Sequence, residues 1–237
     1  MRNFALTVAL ALSFCAVPAA RAAAPPSAAP AADDLQSVLH QLDAAAANFH
    51  TTTADFQFDS IQTDPIPDKD VQKGVVYYER TGKSFQMGIH INDVNGRPVP
   101  KVVVLSGGVV KLYEALPNQV TTLTKLGQYQ SWFMLGFGAS GKDLAAKWDM
   151  KYLGKETIDG IRADKLELVP KDPNIRKNLP RVILWLDTPH GVSVQQDFDE
   201  GQGQSRQCYY KNIKVNQSLP GDAFKFKTDS KTQYVTR

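Results

Sequence analysis

Gly136 to Lys142 reads G-x-x-x-x-G-K, the opening of a loop whose backbone amides cradle nucleotide phosphates. Asp143 stands where such a loop needs Ser or Thr to hold magnesium, so a nucleotide site is not expected. His40, His50, His90 and His190 show no H-E-x-x-H or C-x-x-C spacing, and no metal is expected from them. Asp197, Asp199 and Glu200 could offer oxygens to calcium, yet they lack the D-x-D-x-D-G order and read as a solvated hairpin end. Cys208 lies between strand-like residues, the setting of a buried inert thiol rather than a nucleophile. No G-x-S-x-G elbow occurs, and a Ser/His/Asp triad cannot be read from spacing because its members need not be close in the chain. No catalytic residue and no cofactor is expected. Asn216-Gln217-Ser218 fits a glycosylation acceptor, which matters only on a eukaryotic secretory route.

A different chemistry is suggested by Gln128 to Gly138, QYQSWFMLGFG, which sets Trp132, Phe133, Met134, Leu135 and Phe137 almost side by side. A segment apolar on all sides must be enclosed, or must cover a cavity that it can leave. Its bulk and the bordering Gly127 and Gly138 leave both readings open: a piece of core, or a lid over a hydrophobic pocket.

The elements around it are mostly strands. Near the start, Leu35, Val38, Leu39, Leu42, Ala45, Ala46 and Phe49 recur at i, i+3, i+4, i+7 spacing behind Asp33 and Asp34, which predicts one amphipathic helix. The period then changes to two. In Lys83 to Ile91, Phe85, Met87, Ile89 and Ile91 alternate with Ser84, Gln86, Gly88 and His90, as in a half-buried antiparallel strand. Similar runs cover Ala54–Gln62, Val71–Arg80, Lys101–Ser106, Val109–Glu114, Gln119–Thr124 and Met150–Leu153. They continue in Ile161–Val169, Arg181–Asp187, Val192–Phe198, Arg206–Val215 and Phe224–Lys227, while Lys142–Trp148 fits a further helical turn. Turn residues such as Asn95-Gly96, Gly107-Gly108, Asp159-Gly160 and Gly201-Gln202-Gly203 join them as hairpins, so a meandering antiparallel sheet of about 11 strands is expected. A single open sheet of that size must curl, and its concave side needs something apolar against it, for which the N-terminal helix is a candidate. The fold class is α+β.

Composition agrees with a globular chain: of 237 residues, 43% are apolar and 22% charged. One domain, or two small ones, is expected. Lys plus Arg number 27 against 24 for Asp plus Glu, a net charge of +3 without the basic footprint that nucleic-acid binding needs. Two Cys exclude a disulfide scaffold and a multi-cysteine zinc domain.

The N-terminus reads as an export signal. Arg2 precedes an apolar run from Phe4 to Val17, too short at about 14 residues to cross a bilayer, and then small residues up to Ala24. Ala20-Arg21-Ala22 and Ala22-Ala23-Ala24 both fit an A-x-A cleavage site, which explains the segment better than lipid attachment at Cys15, where bulky Phe14 precedes the cysteine. Cleavage removes two of the 27 positive residues and none of the 24 negative ones, leaving a net charge of +1 and Cys208 as the lone thiol. The expected organisation is a signal peptide over 1–24, an Ala/Pro-rich linker over 25–32 and a folded domain over 33–237.

The chain also resembles the LolA family of periplasmic outer-membrane lipoprotein carriers, and the related LolB-like and RseB-like folds. The resemblance is carried by Asp34-Leu35-Gln36-Ser37-Val38-Leu39, by Asn48-Phe49-His50 with Asp55-Phe56-Gln57-Phe58, and by Gly74 to Arg80 followed by Phe85 to Met87. Leu105 to Tyr113 resembles a hairpin of the family, and Ala223-Phe224-Lys225-Phe226 its closing strand. The resemblance implies a strongly curved, unclosed half-barrel covered by the N-terminal helix and short lid helices. It further implies an apolar cavity for acyl chains, and in Arg80 a strand-borne arginine that holds the lid. Acyl binding needs only apolar walls, each methylene removed from water contributing about 0.8 kcal/mol. The candidates are Phe56, Phe58, Phe85, Met87, Ile89, Leu112 and Leu123 on the sheet, with Trp132, Phe133, Met134 and Phe137 from the lid; for each, simple core filling is the alternative. Met87 and Met134 suit chains of differing length. The partners implied are lipid-modified proteins, an inner-membrane release complex and an outer-membrane acceptor, with the carrier a periplasmic monomer and not an enzyme. A sensor of envelope stress on the same fold, binding a lipid or a protein, is the alternative, and an exported hydrolase is a third class.

Overall fold

The stripe of Val38, Leu39 and Leu42 forms as expected on helix α1 (Ala32–Ala47), all three side chains buried. The helix stops before Phe49, whose ring turns instead into the sheet with 2% of its surface exposed. The computed structural model describes residues 32–82, 84–124 and 135–237, so the expected signal peptide and most of the linker lie outside the described residues. Among the described residues no helix is long and apolar enough to cross a membrane.

Among the described residues, alternating side chains then build one sheet of twelve strands. The first meander is β1 (Thr51–Gln62), β2 (Asp68–Thr81), β3 (Ser84–Val94), β4 (Arg97–Ser106), β5 (Val109–Glu114) and β6 (Gln119–Leu123). The second is β7 (Trp148–Ile158), β8 (Ile161–Pro170), β9 (Arg181–Asp187), β10 (Val192–Gly201) and β11 (Gln204–Val215). Antiparallel pairing of β1 with β11 welds the two meanders, and β12 (Gln233–Thr236) adds in parallel to β6, giving the order β12-β6-β5-β4-β3-β2-β1-β11-β10-β9-β8-β7. The sheet is open, not closed into a barrel. Two short helices, α2 (Gly141–Lys147) and α3 (Pro173–Arg176), and a 3-10 turn over Thr188–His190 complete the elements among the described residues.

One expected strand is absent. Phe224–Lys227 joins no ladder: it leaves a turn over residues 221–224, where the amides of Ala223 and Lys225 donate to the carbonyls of Pro220 and Asp222, and runs on without regular structure. Its alternation serves a strap across the outer face instead. Phe226 stacks on Tyr113 at 5.5 Å, His90 contacts the Ala223 carbonyl at 3.2 Å, and Gly88 passes so close that a Cβ there would strike that carbonyl. The closing strand is β12, further along.

The inner face carries two cores. Leu42 of α1 and Leu144 of α2 pack with Trp148, Leu166, Leu168 and Leu184 on β7 to β9. Each fully buried leucine there contributes about 1.5–3 kcal/mol. A second cluster gathers Phe49, Ala54, Val76, Tyr78, Met87, Leu105, Val110, Phe137 and Val192. β4 and β10 lie five strand spacings apart, about 24 Å on a flat sheet, yet Val103 and Phe198 line one hollow. The sheet is therefore strongly curled.

Candidate functional site

The hollow lies inside that curl and has a volume of about 300 Å³. Cross-strand register explains its wall. Met87 faces Tyr78 and Leu105, Ile89 faces Val76 and Val103, and on the other side Phe56 faces Tyr210 and Phe58 faces Cys208. Phe56, Phe58, Val76, Met87, Ile89, Ile91, Val103 and Phe198 supply apolar surface, and Tyr78, Gln196, Cys208 and Tyr210 line the same space.

One end is shut. Tyr78 stacks on Phe137 at 4.1 Å, and Phe137 meets Tyr210 edge-on at 4.9 Å. Phe137 is wholly buried and fixed by backbone: it bridges to Val192, the Ser193 amide donates to the Gly136 carbonyl at 2.6 Å, and the Gly138 amide donates to Gly191 at 2.8 Å. Gln196 donates from Nε2 to the Leu135 carbonyl at 2.6 Å and accepts from the Tyr210 hydroxyl at 3.2 Å, so its buried amide is satisfied. Burial pushes the Cys208 thiol up to about 12 and holds the Tyr78 and Tyr210 phenols protonated well above their usual range. Cys208 is thus a neutral wall group with no activating base.

The other end is polar. Gln72, Glu200 and Arg206 line it, and Arg206 pairs with Glu200. All three stand toward the hairpin turns that join β1 to β2 and β10 to β11.

Of the residues singled out from sequence, the structure brings Phe56, Phe58, Met87 and Ile89 together around the hollow. Phe85 stacks on Tyr78 at 5.8 Å, and Leu123 packs against the second core, while Leu112 sits on the inner face opposite Val103 and Thr121; none of these three is a lining residue. Phe137 is seated behind Tyr78. Trp132, Phe133 and Met134 lie outside the described residues. Arg80, facing Phe85, donates from Nη2 to the Gly138 carbonyl at 2.6 Å and from Nη1 to Ala46 at 3.4 Å, with its guanidinium 5.6 Å from the Phe49 ring centre. Gln72, Tyr78, Gln196, Arg206, Cys208 and Tyr210 were missing from the sequence-based set, although Arg206, Cys208 and Tyr210 share one parity on a strand and therefore one face.

The other motifs have structural roles. Gly136 and Gly138 adopt φ of 80° and 64°, and Gly141 packs against the Leu39 backbone. The amides of Lys142 and Asp143, which a phosphate would need, are taken by Asp43 Oδ1 at 3.1 Å and Ser140 Oγ at 3.0 Å. Asp197 hydrogen-bonds Gln195 on the outer face while Glu200 turns inward, so the acidic run does not converge. Asn216 accepts from the His50 amide at 2.8 Å and donates to the Asn48 carbonyl at 2.7 Å, fastening the join between α1 and β1. Among the described residues no three His, Cys, Asp or Glu side chains are grouped to hold a metal ion.

No family model matches. An uncharacterized conserved protein from Thermus thermophilus is 13% identical and superposes with a TM-score of 0.53, covering 86% of this chain and 99% of that one. MucB is 15% identical with a TM-score of 0.52 over 86% of this chain and 66% of its own, and a complex of Pseudomonas aeruginosa MucA and MucB matches with a TM-score of 0.50. These likenesses show the fold. A LolA superfamily protein from Nitrosomonas europaea, 14% identical, superposes less well over 81% of this chain and 97% of that one, with a TM-score of 0.39. In sequence, an uncharacterized protein of Methanocaldococcus jannaschii is 28% identical over 125 residues, 53% of this chain. The match spans 35% of that relative's length.

Proposed function

We propose that this chain is a periplasmic carrier that shelters an acyl chain of a lipid-modified protein in its inner-face hollow and moves it from the inner membrane to an outer-membrane acceptor. The observation that carries the proposal is the hollow itself, a space of about 300 Å³ inside the curled sheet lined by Phe56, Phe58, Val76, Met87, Ile89 and Val103. The N-terminal segment that reads as an export signal supports the location.

The magnitudes suit transfer. A space of about 300 Å³ holds about ten methylene-sized groups. Removing those from water yields about 8 kcal/mol, against at least about 4 kcal/mol lost on association. The remainder is a modest affinity, which lets cargo leave when an acceptor binds it better. On this reading Arg80 holds the segment around Gly138. No chemistry on the ligand is required, so the protein acts without catalysis or cofactor. Incubating the processed protein with spheroplasts tests the proposal. Lipoproteins released into the soluble fraction in complex with it are the expected result, and none released contradicts it.

The MucA/MucB complex favours one other reading, a regulator that binds an envelope protein on the same fold. Capture of a membrane-anchored protein without extraction of lipoproteins would support that reading instead.

A further inference from the structure

We infer that Tyr78, backed by Phe137, is the floor of the hollow and sets the length of chain it accepts: one chain entering methyl end first, with about ten methylenes inside. The inference rests on the hollow being an acyl-chain site and adds its length limit and its direction of entry. Alternate residues of β2 run down the inner face from Gln72 at the polar end through Gly74 and Val76 to Tyr78. On β11 the same descent runs from Arg206 through Cys208 to Tyr210. At about 3.3 Å per residue the two runs are about 20 and 13 Å long.

The floor is closed. Tyr78 is 4% exposed and stacks on both Phe85 and Phe137, with ring centres 5.8 and 4.1 Å away. Phe137 has no exposed surface, and neither has Thr52, which stands opposite Tyr78 on β1. A chain that reaches Tyr78 therefore meets packed side chains and does not emerge into solvent on that side. The polar end differs, because the Arg206 side chain there is 44% exposed and a head beside it stays hydrated. Arg206 is also the one cationic side chain lining the hollow among the described residues. Near the floor, Gln196 Nε2 is committed to the Leu135 carbonyl and the Tyr210 hydroxyl donates to Gln196, so a carboxylate driven down to Tyr78 would be buried without a counter-charge. The volume of about 300 Å³ then fixes how many methylenes fit between floor and mouth.

Calorimetry on the processed protein tests this with straight-chain fatty acids from hexanoic to hexadecanoic, each below its micelle-forming concentration. Affinity should rise about fourfold with each added methylene as far as dodecanoic acid and then stay level. Tyr78→Leu, which trades a phenol ring for a smaller branched group, should carry the rise on by about three more carbons. Dodecanedioic acid, whose second carboxylate has to lie against the floor, should bind the parent at least about a hundredfold more weakly than dodecanoic acid. That comparison needs no variant and decides the matter if circular dichroism shows Tyr78→Leu unfolded. A rise that continues to hexadecanoic acid in the parent, an unmoved limit in folded Tyr78→Leu, or a diacid bound as tightly as the monoacid overturns the floor assignment and leaves the acyl site standing. No binding of any acid overturns both.

Discussion

Arg80 and Gly138 are 58 residues apart and joined by a 2.6 Å hydrogen bond from the guanidinium to the backbone carbonyl. The same side chain reaches Ala46 at the end of α1, so one residue on β2 ties together the helix and the segment that seats Phe137. Hydrogen bonds from a charged group contribute about 1.5–3 kcal/mol. Arg80→Ala should lower the unfolding free energy by about 2 kcal/mol in urea titration. Arg80→Lys should recover less than half of that, because an ammonium cannot fork between two carbonyls. An alanine variant within about 0.5 kcal/mol of the parent would show that the tie contributes little.

Gly138 offers a second test of the same junction. Its φ is 64°, and a Cβ there would run into the Phe49 ring. Gly96 also has positive φ, 77°, but open space around it. Gly96→Ala should cost about 1 kcal/mol, the backbone term alone, and Gly138→Ala about 2–3 kcal/mol. Equal losses at the two positions would mean that the close approach to Phe49 is not constraining.

The buried thiol and phenols predict alkaline sensitivity. Burial raises Cys208 from 9.0 to about 12, and burial with a hydrogen bond to Asp164 raises Tyr152 from 10.0 to about 12. The unfolded chain loses these protons first, so the stability they contribute is full below the unfolded values and is lost as pH rises toward about 12. The urea midpoint should fall across this window, and less steeply in Cys208→Ala. An unchanged slope in that variant would show that Cys208 is not held neutral by the fold.

The strands were legible because one buried face imposes a period of two, which is why Val109–Glu114 and Arg181–Asp187 are found at the expected bounds. Phe224–Lys227 misled because a strap that alternates between stacking on Tyr113 and facing solvent has the same pattern as a strand without its ladder. β12 escaped notice because Gln233–Thr236 is four residues long, parallel at an edge, and exposes Tyr234. At the hollow, the aromatic residues of β1 were readable from alternation, whereas Gln196, Arg206 and Tyr210 were not. Polar side chains on an inner face depend on partners from distant strands, as Gln196 does on Leu135 and Tyr210, and no local spacing records that.

If the curl of the sheet holds an acyl chain, a dansylated fatty acid will enter it on titration. The processed protein should bind one probe per chain, with fluorescence rising as the dansyl group leaves water. Val103→Trp, which fills the space between β4 and β10, should abolish that rise while thermal unfolding stays cooperative. A probe that does not bind, or that binds the filled variant as well as the parent, would contradict the account.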